Sequence, residues 1–146
     1  MVDLNIVDIR GQPYKEEYFT LLSQLTSAPP IDLFHFETIL KHLHPNHHIF
    51  VALMEGKPVG MITLLIEQKL TYSGKCVGHV EDLVVDQGCR GMGVGKQLIE
   101  HVCELAKNKN CYKMILNCRT DLVGFYQNAG LSQQSEGMGV YLLDDF

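Results

Sequence analysis

Apolar residues change their spacing several times along the first half of the chain, and each spacing predicts a different element. β-Branched residues over 4–9 predict a first strand. Apolar positions within 14–25 recur at helical intervals, and Pro29-Pro30 ends that helical region. Asp32 is a candidate N-cap for a second helix that continues to about Leu43.

From His48 onward the pattern becomes typical of strands joined by polar turns. Residues 49–54 and 58–68 predict two strands around a hairpin turn at 55–57, and 76–86 predict a third strand after a polar turn. The further predicted elements are an amphipathic helix over 93–107, a strand over 112–118, a short helix over 121–129 with Gly130 as its C′ residue, and a last strand over 140–143. This order predicts one mixed α/β domain that spans 1–146.

Composition narrows the class of protein. The chain has 146 residues, with 46% apolar and 20% charged residues, and its net charge of −5 argues against a nucleic-acid binder. Its apolar runs are too short for a transmembrane segment, and its first residues lack a signal-peptide pattern. Five cysteines without a CxxC pair predict free thiols, and the histidines at 42–48 predict a solvated loop. We therefore expect a cytoplasmic protein without a metal, nucleic-acid or membrane partner.

The run Arg90-Gly91-Met92-Gly93-Val94-Gly95 joins a predicted strand to a predicted helix. Glycines allow positive φ and close approach of a ligand, and the helix N-terminus offers free N–H groups, so the run predicts a phosphate site. It is not a P-loop, because Gln97 follows Gly95-Lys96, and it fits a dinucleotide fingerprint poorly, because Asn117 stands near the place of the acidic residue. From the motif alone, a flexible turn packed on a helix remains an alternative.

Val84-Val85-Asp86 followed by the glycine run resembles motif A of the GNAT superfamily of acyl-CoA N-acyltransferases. The blocks 78–83, 110–113 and 123–131, with Leu25-Thr26, are similar to the members of this superfamily that acetylate an amino-sugar phosphate. The resemblance covers about 20 to 131 and implies a GNAT fold, a mixed and mostly antiparallel sheet with helices on both faces. It also implies a homodimer that transfers the acetyl group of acetyl-CoA to the 2-amine of D-glucosamine 6-phosphate, in UDP-N-acetylglucosamine biosynthesis.

The resemblance also implies roles for residues of the donor site. The residues expected to bind acetyl-CoA are Leu83, Val84, Val85, Arg90, Gly91, Met92, Gly93, Val94, Gly95, Lys96, Asn117 and Tyr126. The loop amides would hold the pyrophosphate, and the amide of Leu83 or a neighbour would polarise the thioester carbonyl. Tyr126 would donate a proton to the departing CoA thiolate, the alternative being a tyrosine of the core.

Glu81 and Asp82 are the expected catalytic carboxylates, which would bind the amine and help to deprotonate it. Neighbouring strand residues face opposite sides, so both reach one pocket only if a bulge intervenes. The alternative is a pair of solvated carboxylates at a strand edge. The residues expected to bind the sugar phosphate are Thr26, Lys69, Thr71, Tyr72, Glu81, Asp82 and Asn117.

Two departures from the family's pattern affect the acceptor site. Asn117 replaces an acidic residue, and the predicted last strand has no arginine or lysine, which leaves Tyr141 or other cations to bind the phosphate. Two rival functions follow. One is acetylation of another amine, such as a polyamine, an amino acid or a protein terminus, and the other is a non-catalytic acyl-CoA-binding module.

Overall fold

The computed structural model describes residues 2–144. Within them, five strands form one sheet in the order β1-β2-β3-β4-β5. The strands are β1 (Asn5–Asp8), β2 (His47–Met54), β3 (Lys57–Gln68), β4 (Cys76–Val85) and β5 (Cys111–Ile115), and the helices are α1 (Glu16–Leu22), α2 (Leu33–His42), α3 (Val94–Asn108) and α4 (Val123–Asn128). Neighbouring strands are antiparallel except β4 and β5, which are parallel. The prediction of a mixed, mostly antiparallel sheet is confirmed.

Helices cover both faces of this sheet. On one face Ile62 and Leu64 pack with Leu98 and Val102 of α3. On the other face the side chains of Val51, Met61, Val84, Tyr18 and Phe36 form a second cluster with α1 and α2. Side chains alternate between the two faces of a strand, so β3 contributes to both clusters. The predicted two-sided packing is therefore present.

Local hydrogen bonds explain where the short helices begin and end. The Asp32 carboxylate accepts from the amide of His35 at 2.7 Å, as expected of an N-cap. α1 stops at Leu22, earlier than predicted, because the amide of Leu25 turns back to the Leu22 carbonyl. After α4, Gly130 has a φ of 98° and the amide of Leu131 donates to the Tyr126 carbonyl at 3.0 Å. This is a Schellman motif, and it confirms Gly130 as the C′ residue.

The predicted last strand is wrong. Residues 131–143 have no regular structure, and β5 ends at Ile115 rather than Cys118. Val140, Tyr141 and Leu142 are 80%, 92% and 87% exposed. Their apolar pattern satisfies the sequence rule for a strand, but a strand needs a partner that supplies backbone hydrogen bonds. Within residues 2–144 no strand pairs with this segment, which we call the C-terminal segment (131–143).

Three observations concern membranes, metals and thiols. In the described chain, no helix has the length and apolarity needed to cross a bilayer. Across the same residues, no three His, Cys, Asp or Glu side chains group as metal ligands. The five cysteines carry free thiols, of which Cys76 and Cys89 are buried and Cys118 is exposed.

Candidate active site

β4 contains a bulge at the position of the predicted catalytic carboxylates. Met61 pairs with Val84 and Thr63 pairs with Glu81, so two residues of β4 lie opposite one residue of β3. Within the bulge, Asp82 has a φ of 50°, which L-residues rarely adopt. The bulge breaks the regular alternation, and the side chains of Glu81 and Asp82 are both exposed. The structure thus meets the condition under which both carboxylates can serve one pocket.

β4 and β5 separate next to this bulge. Their last pair is His79 with Ile115, whereas β4 continues to Val85. The β4 backbone beyond His79 therefore has no β5 partner along that edge. A cleft of about 1240 Å³ opens there, and its walls include His79, Glu81, Asn117, Cys118 and Tyr126. The divergence of two parallel strands thus exposes backbone amides and carbonyls to a ligand-sized space.

The glycine run forms the N-terminal end of α3. Gly91 and Gly93 have φ values of 82° and 85°, and a Cβ at either position would meet no atom within 4 Å. The first helical bond runs from the amide of Gln97 to the Gly93 carbonyl at 3.1 Å. Amides of the first helical turn have no helical acceptor, so those of 94–96 are available to an anion. The loop therefore fits a phosphate group.

The side chains around this loop differ in what they can offer a ligand. Val84 and Val94 are 4% and 1% exposed, so only their backbone can contact a bound molecule. Arg90 is exposed and its Nε donates to the Val85 carbonyl at 3.3 Å. Lys96 is also exposed. The expected contacts of this loop thus comprise backbone amides and two exposed cationic side chains.

Tyr126 is placed on the cleft by a contact between α3 and α4. A Cβ at Gly95 would lie 2.9 Å from Cζ of Phe125, so the missing side chain allows α4 to approach α3 closely. The rings of Phe125 and Tyr126 are 5.0 Å apart at 78°. Burial raises the pKa of the Tyr126 hydroxyl, and Cys118 adds to that rise. The hydroxyl therefore stays protonated near neutral pH and can donate a proton.

Gln24 is a positioning residue without a sequence signal. Its amide donates to Asp86 at 2.8 Å and its carbonyl accepts from the Gln87 amide at 2.9 Å. The hydrogen bond from Gln24 lowers the pKa of Asp86, with a smaller contribution from the Gly88 amide. These bonds tie the chain after α1 to the start of the glycine loop. Thr26 lies two residues further on and is exposed.

The predicted phosphate-binding residues Lys69, Thr71 and Tyr72 lie near the other end of β4. Lys69 Nζ contacts Glu67 at 3.1 Å, and Tyr72 stacks on Tyr112 with ring centroids 4.1 Å apart. Thr71 precedes a turn in which Tyr72 has a φ of 50°. Within one chain the structure therefore places Lys69, Thr71 and Tyr72 at the start of β4, and Thr26 near its end.

His79 lines the cleft and contacts Glu67, and neither residue was assigned a role from the sequence. His79 Nε2 lies 2.8 Å from Glu67 Oε1, and Glu67 also contacts Lys69. These bonds, His79 first, lower the pKa of Glu67. No motif signals the pair, because its partners are twelve residues apart and meet only through strand pairing. Asn117 lies at the cleft against the C-terminal segment, and a Cβ at Gly137 would be 3.0 Å from its Oδ1.

Residues 8–131 match the Acetyltransferase (GNAT) family. The chain is 34% identical over 141 residues to a glucosamine 6-phosphate N-acetyltransferase of Trypanosoma brucei brucei, covering 92% of this chain and 96% of that protein. It is 34% identical over 129 residues to glucosamine 6-phosphate N-acetyltransferase 1 of Oryza sativa subsp. japonica, covering 85% of this chain and 78% of that protein.

Solved structures give the same result. A crystal structure of an acetyltransferase from Trypanosoma brucei matches with a TM-score of 0.83 and 32% identity, over 96% of this chain and 100% of that one. The crystal structure of glucosamine-6-phosphate N-acetyltransferase from Arabidopsis thaliana matches with a TM-score of 0.86 and 28% identity, over 96% of this chain and 99% of that one. The chain belongs to the GNAT family of acetyltransferases, and the predicted GNAT fold is confirmed.

Proposed function

We propose that this protein transfers the acetyl group of acetyl-CoA to the 2-amine of D-glucosamine 6-phosphate, giving N-acetyl-D-glucosamine 6-phosphate and CoA. The observation that carries the proposal is the bulge in β4, which leaves the neighbouring carboxylates Glu81 and Asp82 exposed, with Glu81 lining the cleft between β4 and β5. The two relatives that share 34% identity with most of this chain bear the name of this reaction. The product enters UDP-N-acetylglucosamine biosynthesis in this proposal.

The donor would bind along the end of α3 and the unpaired edge of β4. Free amides at 94–96, with Arg90 and Lys96, suit the pyrophosphate, because the helix dipole adds to their positive charge. CoA supplies an activated acetyl group as a thioester. The amide of Leu83 or a neighbour would polarise the thioester carbonyl, as an oxyanion-hole donor does.

The acceptor amine needs both binding and deprotonation. An ammonium has no lone pair and cannot attack a carbonyl, so a base must first remove a proton. Glu81 and Asp82 attract the ammonium and provide acceptors for its N–H groups. The protonated hydroxyl of Tyr126 then serves the opposite need, because it can supply a proton to the departing thiolate.

The acceptor phosphate would interact with Lys69, Thr71 and Tyr72, next to the start of β4, and Asn117 would contribute from the cleft between β4 and β5. Lys69 is the cation of this group, and its present partner is Glu67. Thr26 lies toward the other end of β4. Lys69 and Thr26 would therefore either contact different parts of one acceptor or belong to acceptor sites of different protomers. No arginine or lysine in the C-terminal segment adds to this charge.

We also propose that the protein is a homodimer in which the C-terminal segment packs on a second copy. Support comes from its exposed apolar side chains, Met138, Val140, Tyr141 and Leu142, because a contiguous apolar patch is typical of a protein–protein contact surface. In sedimentation experiments the wild-type protein is expected at twice 16.5 kDa, and Leu142→Asp at 16.5 kDa. A wild-type monomer at micromolar concentration would contradict this proposal.

The reaction itself is tested with purified protein, acetyl-CoA and three acceptors, by following release of free CoA. We expect turnover with glucosamine 6-phosphate, a kcat/KM at least about tenfold lower with glucosamine, and none with spermidine, since one phosphate–lysine contact contributes about 1.4 kcal/mol or more. Lys69→Ala should raise the KM for glucosamine 6-phosphate and leave that for glucosamine unchanged. Equal rates with both sugars would favour another small amine, and CoA binding without turnover would favour a binding module.

A further inference from the structure

His79 and Glu67 form a side-chain pair across two strands of the sheet. His79 is on β4 and pairs with Leu65, whereas Glu67 on β3 pairs with Val77, so the two side chains are diagonal neighbours. Their contact is 2.8 Å, and Lys69 holds the other Glu67 oxygen at 3.1 Å. The His79 side chain is 30% exposed. The ring is thus fixed by a carboxylate and still reachable from solvent.

His79 also lies where the cleft begins. It is the last β4 residue paired with β5, and it lines the cleft together with Glu81. His79 and Glu81 are two residues apart before the bulge, so they point to the same face with Cα atoms about 7 Å apart. An amine bound by Glu81 would therefore be within reach of the imidazole, directly or through one water.

The bond to Glu67 decides which ring nitrogen carries the proton. The lowered pKa of Glu67 keeps this carboxylate ionised, and an ionised carboxylate only accepts hydrogen bonds. Nε2 of His79 must then be the donor, which leaves Nδ1 of the neutral ring without a proton. A neutral imidazole is a stronger base than an ordinary carboxylate. The carboxylate also stabilises the imidazolium that forms when Nδ1 takes up a proton.

We propose that His79 accepts the proton of the acceptor ammonium and that Glu67 is the positioning residue that orients its ring. The N–H bond of the ammonium breaks, its electron pair stays on nitrogen for attack, and the proton passes to Nδ1. The imidazolium releases this proton to solvent once the product has left. This inference rests on the proposed acetyl transfer and adds a proton acceptor beside Glu81 and Asp82, the carboxylates expected to bind the amine and help to deprotonate it.

The charged groups on the same face of the sheet as His79 come from three neighbouring strands and the turn after β3. Glu67 and Lys69 lie on the β3 side, Glu81 on β4 and Lys113 on β5. α3 lines the cleft with Glu100, Glu104 and Lys107 from the opposite face of the sheet, because Leu64 and Val80, the neighbours of Leu65 and His79, pack on the α3 side. Among these charged groups of the described residues, only Glu67 lies within hydrogen-bonding distance of His79. Glu67 is therefore the partner to substitute in a test.

The test measures kcat and KM of the full-length enzyme with acetyl-CoA and glucosamine 6-phosphate across the pH range, for His79→Gln and Glu67→Gln. We expect His79→Gln to lower kcat about 10- to 100-fold with KM nearly unchanged, which is the lower range for loss of a general base. The fall of kcat towards acid pH should move to lower pH, because only carboxylates remain to accept the proton. Glu67→Gln should lower kcat about tenfold with KM nearly unchanged, because the imidazole ring loses the carboxylate that orients it.

His42→Gln is the matched control, because His42 is exposed at the end of α2 and away from the cleft. It should leave kcat and the pH profile unchanged. If His79→Gln keeps the kcat and the pH profile of the wild-type enzyme, the inference is overturned, whereas the proposed reaction still stands because the wild-type enzyme turns over. Absence of turnover in the wild type would instead overturn the proposed function. If His79→Gln does not fold, the test rests on Glu67→Gln. The Glu67 side chain is 42% exposed, so this substitution is expected to leave the fold intact.

Discussion

Tyr126→Phe is expected to lower kcat about 100- to 1000-fold, with the KM for acetyl-CoA nearly unchanged. The estimate is the usual effect of removing a group that transfers a proton in the transition state. The substitution removes only the hydroxyl, and the remaining ring keeps its contact with Phe125 at 5.0 Å. Initial rates of CoA release over a range of acetyl-CoA concentrations separate kcat from KM.

The pH profile gives a second measurement of the same residue. A phenolate cannot donate, so the rate should fall as pH rises through the pKa of Tyr126, and burial places that pKa above the ordinary value of 10.0. This alkaline fall should be absent in Tyr126→Phe. Tyr14→Phe is the control, because its hydroxyl bonds the Ile31 carbonyl at 2.7 Å on the other side of the sheet. A fully active Tyr126→Phe would make Tyr126 a packing residue.

Gly93→Val is expected to lower kcat/KM for acetyl-CoA at least about 100-fold, which corresponds to about 2.7 kcal/mol. Gly93 is the N-cap of α3 and has a φ of 85°, a conformation that a β-branched residue adopts only under strain. Relief of that strain would turn the loop amides away from the direction of the bound phosphate. The added side chain would also enter the open space beside the loop. Steady-state kinetics and CoA-induced thermal shifts measure both effects.

Gly56→Val separates strain from ligand binding. Gly56 has a φ of 79° in the β2–β3 turn, also with open space around its missing Cβ. Both variants should lose about 1–3 kcal/mol of unfolding free energy, measured with urea. Only Gly93→Val should change the KM for acetyl-CoA. A similar kinetic loss in both variants would show that the effect is global destabilisation.

Local patterns in the sequence predicted the parts of the fold that depend on local interactions. Asp32 and Gly130 marked helix ends correctly, because capping involves residues three to five positions apart. The glycine run also predicted positive φ values before a helix, as observed at Gly91 and Gly93, whereas its role as a phosphate site stays a prediction. The roles of the site residues remain predictions, which the substitutions above test.

Features that depend on distant partners were missed. Residues 140–143 have the composition of a strand, yet no strand of the same chain pairs with them among residues 2–144. Gln24 meets Asp86 across 62 positions, and His79 meets Glu67 through a register set by strand pairing. Strand register depends on bulges and turns, and a shift of one residue reverses which side chains face each other. One sequence does not determine these contacts.

In the proposed reaction, the contact between Gly95 and Phe125 fixes the distance between the protein groups that bind the phosphates of the donor and those that meet its sulfur. One end of α3 contacts the phosphates of the donor, and Tyr126 meets its sulfur, so a single close approach sets the distance between the two points. The acyl group lies beyond the sulfur and does not change this distance. Selection or engineering for longer acyl chains would therefore act on the far walls of the cleft and leave the glycine run unaltered.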